Sequence, residues 1–152
     1  VRICGIDPGN SGAVCVLDSS SLSTPALLDL NKSTIYDAGM WMHNQNVDVV
    51  YIEDVHSLFG MTAKSNFSFG RNLGVVMALA QLVTKGKPTS YVTPKVWQKF
   101  IGVTTKGKAI KTEVAKIAAS LYPQVVLHGP QGGLKDGRAD ALMIAHYGLH
   151  NP

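Results

Sequence analysis

Four carboxylates lie at positions where their charge needs a partner. Asp7 ends an apolar strand that opens with Val1 to Cys4, and strand alternation puts Ile3, Gly5 and Asp7 on one face. Glu53 ends a second apolar strand, Val47 to Ile52, on the same side as Val49 and Tyr51. Asp136 and Asp140 open a C-terminal helix and are four residues apart, so they share a helix face about one turn from each other. Like charges at that spacing disfavour a helix, and a carboxylate at the end of an apolar strand is costly without compensation. Bland roles exist for each: Asp7 could close the Pro8-Gly9 turn, Asp136 could cap its helix, and Asp140 could be solvated. Asp140, however, is followed by the apolar turn Ala141 to Ala145, which predicts partial burial. A cluster of four such groups suits magnesium, which prefers carboxylate and water oxygens. Two ions about 3.5–4 Å apart would clamp a phosphodiester for in-line attack by water.

The elements that must position these groups can be read from pattern. Gly5-Ile6-Asp7-Pro8-Gly9-Asn10-Ser11-Gly12 is a strand end and tight turn, followed at hairpin spacing by the run Ala13 to Leu17. Ala26 to Leu30 reads as a third strand. Thr34 with Asp37 forms a capping-box pattern ahead of a helix with Ile35, Ala38 and Met42 on one stripe. The segment 55–67 reads as a loop that feeds a long helix over 67–83, with Gly70, Gly74 and Ala78 on one face. A fifth strand is expected over 89–93, then a short helix from Pro94 to Phe100, a helix over 111–121 and the last helix over 136–148. The chain is thus expected to be one α/β domain spanning 1–152, with a mixed sheet and flanking helices.

Composition narrows the classes. With 152 residues, 45% hydrophobic and 16% charged, the chain can bury a real core, which excludes disorder. A formal charge of +4 is compatible with a polyanionic partner without proving one. Cys4 and Cys15 fall inside strands without metal-ligand spacing and read as buried hydrophobes of a reducing compartment. The longest apolar run, over 74–83, is far short of the roughly 20 residues needed to span a bilayer. No membrane role and no signal segment are expected.

The motifs Gly5-Ile6-Asp7-Pro8-Gly9, Ile52-Glu53 and Asp136-Gly137-Arg138-Ala139-Asp140-Ala141-Leu142 together resemble the RuvC family of Holliday-junction resolvases, within the RNase H-like superfamily. The ordered triple covers the chain end to end. The resemblance implies an RNase H-like fold with a five-stranded sheet, its first three strands antiparallel, and helices on both faces. It implies a homodimer, magnesium or manganese, and paired nicks across a four-way DNA junction in recombination and repair. It also implies metal-ligand roles for Asp7, Glu53 and Asp140. One departure stands out: bacterial members carry the last two acidic residues three apart, which here falls on Gly137. The four-residue spacing of Asp136 and Asp140 is similar to the phage and plastid branch.

Lysines crowd into 95–111, interleaved with Trp97 and Phe100. A solvated helix face accounts for some of them. By resemblance, Lys111 and then Lys108 are expected to serve the scissile phosphate. Lys95, Lys99, Lys106, Lys64 and Arg71 would contact flanking phosphates, with Lys106 in a mobile loop. Phe59 and Met61 are either tucked loop residues or an apolar wedge at unpaired bases. The expected setting is the cytoplasm of a bacterial or phage-infected cell, or an organellar matrix. Three other readings compete. An actin-like or sugar-kinase ATPase shares the first motif but needs two such domains. A non-catalytic junction-binding module would not need all four carboxylates. An RNase H-like nuclease acting on a hybrid or flap shares the same metal chemistry.

Overall fold

The computed structural model describes residues 1–20, 24–56, 60–87 and 89–152. Five strands, β1 (Arg2–Asp7), β2 (Ala13–Asp18), β3 (Ala26–Asp29), β4 (Val49–Glu53) and β5 (Thr89–Val92), form one sheet in the order β3-β2-β1-β4-β5. The first three pair antiparallel, whereas β1–β4 and β4–β5 are parallel. Helices α1 (Ile35–Asn44), α2 (Ala63–Val83), α3 (Pro94–Phe100), α4 (Ala109–Leu121) and α5 (Asp136–His150) supply the crossovers and both outer layers.

Alternation along the strands divides the core in two. Cys4, Ile6, Val14, Val50 and Ile52 point to one face and pack with Met42 of α1 and Val76 and Ala80 of α2. Ile3, Ala13, Cys15 and Tyr51 point to the other, under Trp97 of α3, Val114 and Ala118 of α4 and the apolar run of α5. The second layer is close enough to dictate composition. A side chain at Gly5 would collide with the backbone of Ala141 and Ala145, so β1 and α5 approach as only glycine allows. Both cysteines are free and buried, as their strand positions predict.

The capping box at Thr34 and Asp37 forms as read, and Pro94 opens α3. The boundary expected at Phe67 is corrected: α2 begins at Ala63, where the Thr62 side chain accepts from the Ser65 N–H. Its first turn is exposed, so no apolar stripe announces it. Lys64 is therefore inside the helix rather than ahead of it, and Arg71 lies in its third turn. Likewise α4 starts at Ala109, two residues before the expected start. Leu30, read as strand, opens a one-turn 3-10 helix over Leu30–Lys32. Among the described residues no helix is long and apolar enough to cross a membrane.

Candidate active site

The C-terminal ends of β1 and β4 are neighbours, with Gly5 opposite Tyr51 and Ile6 opposite Ile52. One step further, this register brings Asp7 and Glu53 to the same rim on the α5 side. The 8–12 turn then folds back tightly. The Gly9 N–H donates to Asp7 Oδ1 at 2.9 Å, and the Gly12 N–H donates to the Gly9 carbonyl at 2.9 Å. This turn packs on the first turn of α5 so closely that a side chain at Gly137 would strike the Ser11 carbonyl and Gly12 Cα. That contact explains the spacing of the acidic pair. Position 137 has no room for a carboxylate, and Asp136, one residue earlier, reaches the cleft instead.

Arg138 fixes the start of α5 from the other side. Its Nε and Nη2 donate to Asp29 Oδ1 and Oδ2 at 2.7 and 2.9 Å, and Nη1 donates to the Val126 carbonyl at 2.8 Å. A bidentate pair of this kind fixes orientation as well as distance. It ties α5 to β3, whose Asp29 is level with Ala13 and so with Asp7 across the sheet.

Asp7, Glu53, Asp136, Asp140 and Lys111 line one cleft of about 350 Å³ with the 9–12 turn. Burial raises the Asp140 pKa to about 8, helped by the negative charges of Asp7, Glu53 and Asp136. Burial, with Asp7 beside it, raises Glu53 to about 7 against the opposing effect of its hydrogen bond from Trp97. Burial also raises Asp7, offset in part by the Gly9 N–H. Lys111 Nζ hydrogen-bonds Asp136 Oδ2, and that bond raises the lysine pKa, as do the charges of Asp136, Asp140 and Asp7. The cleft thus gathers four carboxylates around one ammonium. Its donor set is hard oxygen, the chemistry of magnesium sites. Among the described residues no three His, Cys, Asp or Glu side chains close on one point as a ready-made cage.

Of the two lysines expected at the phosphate, the structure brings Lys111 to the cleft and not Lys108. Lys108 is the exposed N-cap residue of α4, nearly a full turn away. Lys95 and Lys99 are exposed on α3, Lys64 on α2 and Lys106 in the turn before α4; none lines the cleft. Arg71 lines a neighbouring groove. Just before Lys106, Thr104 and Thr105 are bound to Glu113 through both backbone N–H groups and both hydroxyls, while Lys106 itself is exposed. Met61 is exposed, and Phe59 lies outside the described residues. Phe67, in the second turn of α2, is 75% exposed, a large apolar side chain that the loop reading of this segment passed over.

Sequence reasoning also missed Trp97 as a site residue. Its ring is fully buried, and its Nε1–H donates to Glu53 Oε1 at 3.0 Å. The bond fixes one carboxylate oxygen and leaves Oε2 to the cleft. A buried indole needs an acceptor, but nothing in the sequence says that the acceptor is 44 residues away. His146 is remote from the cleft, bonded to the Tyr122 hydroxyl and stacked edge-on with His150. His56 is exposed beside Asp54.

No protein-family model and no curated protein matches the sequence. Solved structures do match. RuvC of Thermus thermophilus in complex with a Holliday junction substrate superposes with a TM-score of 0.61 at 18% identity, covering 99% of this chain and 94% of that one. The Fowlpox virus resolvase in complex with substrate Holliday junction DNA gives 0.58 at 15% identity, covering 99% and 98%. A second Thermus thermophilus RuvC structure gives 0.56 at 20% identity, covering 99% and 97%. At these identities the likeness is one of fold. The chain shares the fold of these resolvase structures over nearly its whole length.

Proposed function

We propose that the chain is a structure-selective endonuclease that resolves four-way DNA junctions by divalent-cation-dependent hydrolysis of paired phosphodiesters. One observation carries this reading. On a fold shared with structures solved on Holliday junctions, four separated segments place four carboxylates and a lysine in a single cleft.

Asp7, Glu53, Asp136 and Asp140 would hold two magnesium or manganese ions, with Asp136 released from Lys111 as cations arrive. Magnesium supplies positive charge against the phosphate oxygens and lowers the pKa of a water. The chain's own contribution is orientation and charge. Trp97 fixes one oxygen of Glu53, Gly9 fixes one oxygen of Asp7, and Arg138 sets the angle of α5. Lys111, freed from Asp136, places an ammonium beside the non-bridging phosphate oxygens, where negative charge grows as water attacks. Lys64, Lys95, Lys99, Lys106 and Lys108 supply contacts along the strands on either side.

Two symmetric cuts call for two sites, and a C2 dimer provides them. The exposed side of α2 supports this arrangement. A side chain at Gly70 or Gly74 would meet nothing within 4 Å among the described residues, so their packing does not require glycine, although each costs about 0.5–1 kcal/mol relative to alanine in a helix. Close approach of a second α2 would use them. Gly74→Leu is expected to turn a dimer into a monomer in sedimentation; a wild-type protein that is monomeric at micromolar concentration while resolving junctions would overturn the dimer.

The experiment that tests the activity is cleavage of a synthetic immobile four-way junction beside linear duplex, flap and RNA–DNA hybrid, with and without magnesium. Paired symmetric nicks in the junction alone are expected. Equal or faster cutting of the hybrid or flap would replace the junction reading.

A further inference from the structure

A second concavity opens beside the carboxylate cleft. It is a groove of about 410 Å³ between α1, α2 and the turn after β1, and it shares Gly9 and Asn10 with the cleft. Its size falls in the range of small-molecule sites, about 300–1,000 Å³. Leu30, Val75 and Leu79 give it an apolar floor, and Asn10, Asn72 and Arg71 stand on its polar rim.

The rim has a specific chemistry. Asn72 Nδ2 donates to Asn10 Oδ1 at 2.9 Å, which locks the two amides together across the groove's edge. Among the described residues this is the only hydrogen bond their side chains make, so one carbonyl oxygen and one amino group remain to offer. Exchanging the oxygen and nitrogen assignments of both amides leaves the same pair on offer. Arg71 takes part in none of the ion pairs among the described residues. An apolar slot edged by an acceptor, a donor and one cation suits a flat heterocycle attached to a phosphate. It does not suit a bare anion, which would find no cationic floor. It is also separate from the Gly70, Gly74 and Ala78 side of α2, since Val75 and Leu79 lie on the side of that helix turned to α1.

We propose that this groove holds one nucleobase, turned out of the strand whose phosphate occupies the cleft, and that the Asn10–Asn72 pair reads its edge while Arg71 holds a flanking phosphate. This rests on the endonuclease reading above and adds to it a site of base discrimination. Amides are the side chains that match a donor beside an acceptor on a base edge. Turning a base out costs least where pairing is already broken, as at a branch point. Cleavage is therefore expected to depend on base identity at one nucleotide next to the cut.

The test places 2-aminopurine in turn at each nucleotide within two of the mapped cut and mixes each junction with Asp7→Asn protein, which holds the substrate uncut. One position is expected to brighten several-fold. Adding Val75→Phe, which fills the floor, should remove that signal while junction affinity stays within about threefold. In the cleaving protein, rates across the four bases at that position should spread by about tenfold or more; Val75→Phe should compress the spread to about twofold. An arm without a groove variant guards against misfolding: an abasic nucleotide at that position should drop wild-type cleavage to the rate of the poorest base. If no position brightens, if signal and spread survive Val75→Phe, or if the abasic nucleotide changes nothing, the inference is overturned. A protein that cuts junctions but shows no base signal loses this inference alone. One that neither binds nor cuts them loses the endonuclease reading as well.

Discussion

Glu113 and Asp140 carry the same functional group and are treated in opposite ways. Glu113, on α4, accepts the Thr104 and Thr105 N–H groups at 3.1 and 2.8 Å and both threonine hydroxyls, and these bonds pull its pKa down to about 2. Asp140, on α5, has no hydrogen-bond donor among the described residues and is pushed up to about 8. Where a carboxylate holds its own backbone in place, the fold supplies donors generously. Where it faces the cleft, the fold withholds them: four carboxylates share one donor from Gly9, one from Trp97 and one from Lys111. Such withheld satisfaction is costly to the fold and leaves lone pairs for the cations proposed above.

The sharpest way to break this contrast is to remove charge from the cleft. Asp7→Asn keeps shape and the Gly9 contact but removes the charge of a proposed metal ligand, and cleavage of the junction should fall below detection. Junction affinity should hold or improve, because binding rests on phosphate contacts and the change relieves repulsion. Near wild-type cleavage by Asp7→Asn would place the chemistry elsewhere.

Next in size is Lys111→Ala. A group that stabilises charge growing in the transition state affects rate more than binding. Single-turnover cleavage at saturating enzyme should drop by roughly 10²-fold or more. Lys95→Ala and Lys106→Ala should instead weaken affinity and lower the salt slope by about one. If Lys111→Ala cleaves normally, the Lys111–Asp136 pair is a structural bridge, and the comparison with Glu113 loses its functional half.

Asp140 offers a reading on stability. Its folded pKa of about 8 lies above the ordinary 3.8, so between those values the folded state binds more protons than the unfolded one. The contribution of Asp140 to stability is therefore lost as pH rises through that window. Without divalent ions, Asp140→Asn should flatten the fall and melt higher than wild type at pH 8. A relief of even about 1 kcal/mol is worth roughly 2–4 °C in a chain of this size. If the folded cleft holds magnesium as proposed, the ion should stabilise the wild type and should do so less in the variant. A lower melting temperature for Asp140→Asn at pH 8 would mean that its charge is already compensated.

What was legible in the sequence follows the same division. Strand alternation placed Asp7 and Glu53, and helix spacing paired Asp136 with Asp140, because period-2 and period-3.6 patterns are local. The five strands and five helices were legible for the same reason. The start of α2 was not, because its exposed first turn depends on the Thr62 cap and buries no stripe. The need for glycine at 137 was invisible until the 8–12 turn was seen lying against it. Trp97 with Glu53, and Arg138 with Asp29, join residues 44 and 109 positions apart. No spacing rule reports contacts made only by folding. Glu113 passed unnoticed as one more charge on an amphipathic helix, although its partners are only eight and nine residues away.

Glu113 therefore supplies the smallest and most diagnostic test. Its folded pKa of about 2 lies below the ordinary 4.5. Between those values the unfolded state binds more protons, so the stabilisation is fully present above pH 4.5 and is lost as pH falls toward 2. Glu113→Gln keeps shape but lacks the charge that strengthens bonds from the N–H groups. At pH 7 it should melt slightly below wild type, and that gap should close as pH is lowered from 5 to about 2. The Thr105 amide should exchange faster in the variant, while single-turnover cleavage at saturating enzyme should change by less than about threefold, since only the basic turn is loosened. If the gap widens on acidification, the Thr104 and Thr105 bonds are not what hold the charge. If cleavage instead falls as far as in Lys111→Ala, Glu113 acts on the cleft through the helix it shares with Lys111, and the two carboxylate environments are not independent.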